Sequence, residues 1–142
     1  MYCAKGDLLK TFPEARIIEM TDDAGAGTAD DAVITRAIGK ASGEIDAYCG
    51  QRYALPLTPV PDVVRDYCAD MAIYHLFARR AGAPDEWKNK YDRAVAFFKD
   101  VAAGKATLPS NPAAGSEPAQ SGGSVGFSGP ARTFDRNSLK GF

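Results

Sequence analysis

Asp30-Asp-Ala-Val-Ile-Thr-Arg-Ala-Ile-Gly-Lys-Ala-Ser-Gly-Glu-Ile-Asp-Ala-Tyr48, followed closely by Arg52-Tyr-Ala-Leu-Pro-Leu57, is the stretch from which the fold can be read. Ile34, Ala37, Ile38, Ala41, Ile45 and Tyr48 recur at three- and four-residue intervals. That spacing places them on one face of an α-helix. Thr28, Asp30 and Asp31 stand at its head, where a short polar side chain caps free N–H groups and negative charge meets the positive helix end. Gly39 and Gly43 interrupt the run four residues apart. Each costs about 1 kcal/mol relative to alanine in a helix interior. Two on one face predict the close approach of another helix, from the same subunit or from a neighbour. Gly50 is the expected left-handed stop. Nothing on this stripe carries chemistry, so the run reads as a scaffold to be packed against.

Working outward toward the C-terminus, Pro56, Pro59 and Pro61 forbid a helix and predict an extended connector, pinned to the core by Leu55 and Leu57. A second long helix begins at Pro61 or Asp62 and carries Val63, Val64, Tyr67, Cys68, Met71, Ala72, His75 and Leu76 inward. It ends at Arg79 and Arg80, whose charge suits the negative helix end. Pro84, Asp85 and Glu86 open a third long helix with Trp87, Tyr91, Ala94, Val95, Phe98, Val101 and Ala102 on its inner face, stopped at Gly104. Toward the N-terminus, a cap at Cys3 or at Gly6 and Asp7 precedes a short helix with Leu8, Leu9 and Phe12, ended by Pro13. A second short helix over 14–20 turns Ile17, Ile18 and Met20 inward. Residues 1–105 are therefore expected to form an all-α bundle of three long and two short helices.

From residue 106 the composition shifts. Pro109, Pro112, Pro118 and Pro130 surround a Gly/Ser-rich centre at 121–129, which reads as a linker. Residues 130–142 differ again: Phe134, Leu139 and Phe142 alternate with Arg132, Arg136 and Lys140. Aromatic and basic anchors after a spacer have the form of a docking peptide. Residues 106–142 are thus read as an arm, with Arg132, Phe134, Leu139 and Phe142 as its docking residues. Fully extended, it would reach roughly 120 Å, so its partner need not be the parent domain.

The 142 residues fit one domain, and 45% apolar content supports a real core. A net charge of -1 argues against non-specific nucleic-acid binding, which needs a basic surface. Residues 1–105 carry 14 Lys and Arg against 16 Asp and Glu. Cys3, Cys49 and Cys68 lack CxxC spacing, and Cys49 and Cys68 fall on or beside apolar stripes as small hydrophobes, which fits a reduced, cytoplasmic setting. The N-terminus has no apolar signal-peptide core, and no apolar run nears a transmembrane length.

The candidate reactive groups lead to no site. The acidic loop 22–31 resembles a cation loop, but Ala24, Ala26 and Val33 stand where oxygen ligands would be needed. His75 lies mid-helix with no serine or cysteine in an evident triad, so a partly buried structural role is expected. A single histidine and scattered cysteines give no zinc spacing. Asp62, Asp66 and Asp70 form an acidic ridge one turn apart, read as a solvated face or a contact for a basic neighbour. No enzyme, cofactor or metal is expected.

The residues also carry a resemblance. Met1-Tyr-Cys-Ala-Lys-Gly-Asp-Leu-Leu9, the Asp/Gly loop before a long helix, Ala41-Ser-Gly-Glu-Ile-Asp-Ala-Tyr48 with Arg52-Tyr-Ala-Leu-Pro-Leu57, and Val64-Arg-Asp-Tyr-Cys-Ala-Asp-Met-Ala-Ile-Tyr-His-Leu76 are together similar to the small neck proteins of Mu-like tailed phages. The helix over 91–104 and the closing Arg-x-Phe…Leu-x-Gly-Phe pattern fit the same set. The resemblance implies a head–tail connector, or adaptor: an α-helical subunit of a ring, commonly of twelve copies, beneath the portal of the DNA-filled head. It implies assembly in the host cytoplasm, a place in the virion neck, and an arm that contacts the portal or another neck protein. Passive contact with DNA in the channel is compatible with it. Where family members often have a fuller Asp-rich loop, this chain has Ala24 and Ala26. Two other readings stand beside it, a tail completion or terminator protein and a small helical nucleic-acid-binding regulator.

Overall fold

A computed structural model describes residues 1–80 and 82–109, and these hold five α-helices: α1 (Lys5–Thr11), α2 (Glu14–Thr21), α3 (Asp31–Cys49), α4 (Asp62–Arg80) and α5 (Asp85–Ala102). The arm residues Arg132, Phe134, Leu139 and Phe142 lie outside the described residues. The all-α architecture and the order of two short and three long helices agree with the periodicity of the chain.

Helix α4 is the centre of the bundle, packed against each of the other four. Its Val64, Cys68, Met71, Ala72, Ile73 and Leu76 are buried, and the inward residues of its neighbours close on them: Leu8, Ile17, Ile34, Ile45, Phe98 and Val101. Burying one such side chain is worth about 1.5–3 kcal/mol. Phe12 joins α1 to this core by edge-to-face contacts with Phe77 (5.5 Å) and Trp87 (5.2 Å).

The helix ends follow local chemistry. Asp7 accepts from the Ala4 N–H at 2.9 Å to start α1, so the aspartate and not Cys3 serves the cap. Asp30 alone caps α3, accepting from the Ala32 and Val33 N–H groups. Gly50 departs from expectation. Its backbone stays right-handed (φ -61°, ψ -17°), and the helix ends through the turn in which Arg52 and Tyr53 donate to the Cys49 carbonyl. Space favours glycine there, since a Cβ would lie a tight 3.1 Å from both the Asp46 carbonyl and Leu55 Cδ1. The left-handed stop occurs at Gly104 (φ 76°), where the Lys105 N–H reaches the Asp100 carbonyl and Gly104 N–H that of Val101. A side chain at Gly104 would collide with the Arg52 guanidinium, which therefore lies against the negative end of α5.

The connector also corrects one expectation. Leu57 is buried, but Leu55 is 41% exposed, and Tyr53 takes the second inward place. The Tyr53 hydroxyl accepts from the Leu108 N–H at 2.9 Å, and the Leu57 N–H donates to the Tyr2 hydroxyl at 3.2 Å. Tyr2 donates in turn to Asp46, so the N-terminal segment, α3 and the connector share one hydroxyl. Burial, reinforced by that bond, pushes the Tyr2 phenol up to about 12. Leu55, set two residues from Tyr53 and Leu57 but preceding Pro56, packs instead beside Gly50 at the surface.

Candidate interaction surface

The two glycines singled out on α3 receive no helix from within the described residues. A Cβ at Gly43 meets nothing within 4 Å, and one at Gly39 meets only Met1 Cε at 3.7 Å, an ordinary contact. Of the two approaches expected, from the same subunit or from a neighbour, the first is not made among the described residues. The buried stripe of α3 occupies its other side, through Ile34, Ala37, Ile38, Ala41 and Ile45, and Gly43 falls on the exposed face with Ala32, Arg36, Lys40 and Ala47. This face is smooth, built of small residues and two cations.

Beside it a cavity of about 250 Å³ opens between α3 and α4, roughly eight times the ~30 Å³ share of one water in the liquid. Val33, Ala37, Leu76 and Ala78 give it apolar walls, and Arg36, Lys40, His75 and Arg79 give it donors. Arg79 is held by Asp23 and by the Met20 carbonyl (3.0 Å). Arg80 binds the Asp22 carbonyl and Asp23. The paired arginines thus satisfy the end of α2 and its acidic loop, a role beyond the charge of their own helix end. Arg36 and Lys40 form no ion pair with a described residue.

His75 is only 8% exposed, as its helical position predicted. Its Nε2 lies 3.2 Å from Glu44 Oε1, in ionic range but off hydrogen-bond alignment, and neither ring nitrogen has a hydrogen-bond partner among the described residues. Glu44 accepts instead from the Tyr91 hydroxyl at 3.0 Å, and the His75 ring meets Tyr74 and Tyr91 edge-on at 5.6 Å. Burial lowers the His75 pKa below its ordinary 6.5, against the opposing pull of Glu44. The imidazole is therefore neutral near pH 7. Glu44 was not a sequence candidate, because its link to His75 joins residues 31 apart and leaves no local signal.

The remaining candidates are accounted for locally. In the acidic loop, Asp22 accepts from the Ala26 N–H (2.9 Å) and the Gly27 N–H (2.7 Å), which holds its carboxyl below the ordinary range. No group of three or more potential ligands able to hold a metal occurs among the described residues. Cys3 donates to Cys68 at 3.1 Å, and this bond together with burial holds the Cys3 thiol well above the usual range. On the acidic ridge Asp62 pairs with Arg65 (2.8 Å) and Asp66 is exposed. Asp70 is half-buried and its pKa is raised by burial, so the ridge is not one uniform solvated face. No helix among the described residues is long and apolar enough to cross a membrane.

Comparison with known proteins follows the same body. The Mu-like prophage FluMu protein gp36 of Haemophilus influenzae is 29% identical over 142 residues, covering 100% of this chain and 98% of that protein. Gene product J of Escherichia phage Mu is 36% identical over 76 residues, 53% of this chain and 54% of that protein, so the match spans about half of each. The model of the family described as bacteriophage Mu, Gp36, matches residues 2–127, which take in all five helices and stop short of Arg132. The chain belongs to the bacteriophage Mu Gp36 family.

Proposed function

We propose that this protein is a structural head–tail connector subunit of a Mu-like phage, one copy in a ring that joins the portal of the DNA-filled head to the tail. The observation that carries the reading is the family match over the whole helical body, joined to a body whose exposed α3 face is made of small residues and cations with no partner helix among the described residues. Such a face suits packing against a neighbour. In this reading the protein is not an enzyme and needs no cofactor. Its work is done by contacts: with copies of itself through Gly39 and Gly43 in a dodecameric ring, and with portal or other neck proteins through the arm residues Arg132, Phe134, Leu139 and Phe142. Tethering raises the effective concentration of the arm at its partner, so a weak docking peptide suffices.

The location is tested on particles. Purified virions should contain the chain in a fixed stoichiometric ratio to the portal, and phage lacking it should accumulate DNA-filled heads unattached to tails. Complete, infectious virions without the chain would overturn the proposal. A sixfold ring bound to tail tube but not to portal would favour a tail completion protein instead.

A further inference from the structure

The groove between α3 and α4 has a definite chemistry. Its walls are Val33, Ala37 and Leu76, and its rim carries Arg36 and Lys40, one turn apart on α3 and outside any ion pair with a described residue. Like charges at this spacing repel mildly within a helix and favour an outside counter-charge. His75 lines the same groove, more than nine-tenths buried; its Nε2 faces Glu44 at 3.2 Å, and its Nδ1 has no polar partner among the described residues. Buried polar groups are rarely left so. An apolar slot with a cationic rim and a buried hydrogen-bonding ring fits an acidic side chain, whose stem contacts the walls and whose carboxylate meets the cations.

The same chain presents that chemistry on another side. Asp62 and Asp66 are exposed and stand one turn apart on α4, the spacing of Arg36 and Lys40; Asp62 also pairs with Arg65 at 2.8 Å, an exposed ion pair of small worth that a neighbour's cation can replace. At 100° per residue they lie roughly 100–180° around α4 from His75 and Arg79, about 140° on average. The acidic edge and the basic groove therefore face away from one another and meet only between copies. Contacts between two unlike patches are heterologous, repeat head to tail, and close into a ring where the rotation allows. Gly43, on the exposed face beside Lys40, has open space where a side chain would project, so an approaching helix can come close to the α3 backbone.

We propose that the α3–α4 groove of one copy receives the α4 edge of the next, with Arg36 and Lys40 facing Asp62 and Asp66 of the neighbour. The proposal rests on the reading of the chain as a self-assembling subunit and specifies the contact that assembles it. Complementary charge of this kind fixes register and excludes wrong partners.

Two double variants of the full chain test it by sedimentation velocity: Arg36→Glu with Lys40→Glu, and Asp62→Lys with Asp66→Lys. Each alone should lose the association seen for the unaltered chain at the same concentration. Their equimolar mixture should recover it, because the reversed patches now match each other and the unaltered patches still do. Circular dichroism checks that each variant is helical, and a misfolded variant could not be rescued by mixing. Unchanged association of either variant alone, or no recovery from two folded variants, overturns the contact. So does salt-dependent DNA binding that is lost in the Arg36/Lys40 variant while self-association persists. An unaltered chain that remains monomeric also overturns it, but leaves the neck assignment to be judged on virions.

Discussion

His75 carries most of the tension in the described body. Its ring is buried between α3 and α5, facing Glu44 and Lys40 on one side and Tyr91 on the other, with Tyr74 and Arg79 on its own helix. Because burial lowers its pKa in the folded state, the unfolded chain takes up a proton first as pH falls. The His75 contribution is therefore intact above the ordinary value of 6.5 and is lost as pH drops from there toward the lower folded pKa. Urea midpoints at pH 7.5 and 5.5 should fall for the unaltered chain, and the fall should be smaller for His75→Gln. Equal falls in both would place the titration elsewhere. The helical position of His75 told that it is buried, but not what it meets, since Glu44 and Tyr91 reach it from other helices. Cys3 with Cys68, and Tyr2 with Asp46, were hidden for the same reason: each pair joins segments more than 40 residues apart.

At the scale of elements, apolar periodicity placed α2 to α5, each with a buried stripe and a polar or proline start, while α1 buries Leu8 alone and was delimited by Asp7 and Pro13. What periodicity could not separate was a glycine kept for packing inside the subunit from one that faces outward. Gly39 and Gly43 interrupt α3 in the same way on paper, yet neither meets a second helix among the described residues. Nor could it tell a glycine kept for its φ from one kept for space, as at Gly50. These distinctions yield a prediction. Gly43→Ala adds a methyl group to open space, so it should stabilise the isolated body by about 0.5–1 kcal/mol through helix propensity, measured by denaturant unfolding. Gly43→Leu should fold equally well but should weaken self-association at least tenfold if the α3 face meets a neighbour. Full association of the leucine variant would remove Gly43 from the contact.

For the molecule as a whole, the division at residue 105 rests on composition: the helical body ends through Gly104, and proline-rich sequence follows. The described chain continues to Pro109, with Leu108 buried against the body through Tyr53, so packing extends slightly past that boundary. The docking role proposed for residues 130–142 rests on their pattern of anchors alone, because a docking peptide acquires its contacts from a partner. If the proposed docking holds, removing residues 130–142 leaves a helical body with an unchanged thermal midpoint that no longer co-sediments with portal or other neck proteins. Retained co-sedimentation would exclude the arm as the attachment. The proposed ring that would join head to tail can be imaged by electron microscopy of the full chain assembled with the portal protein of its phage. A twelvefold ring of this protein seated on the tail-facing side of the portal is the expected result; portal particles that carry no such ring, alongside sixfold rings of the chain on tail tube, would contradict the connector role.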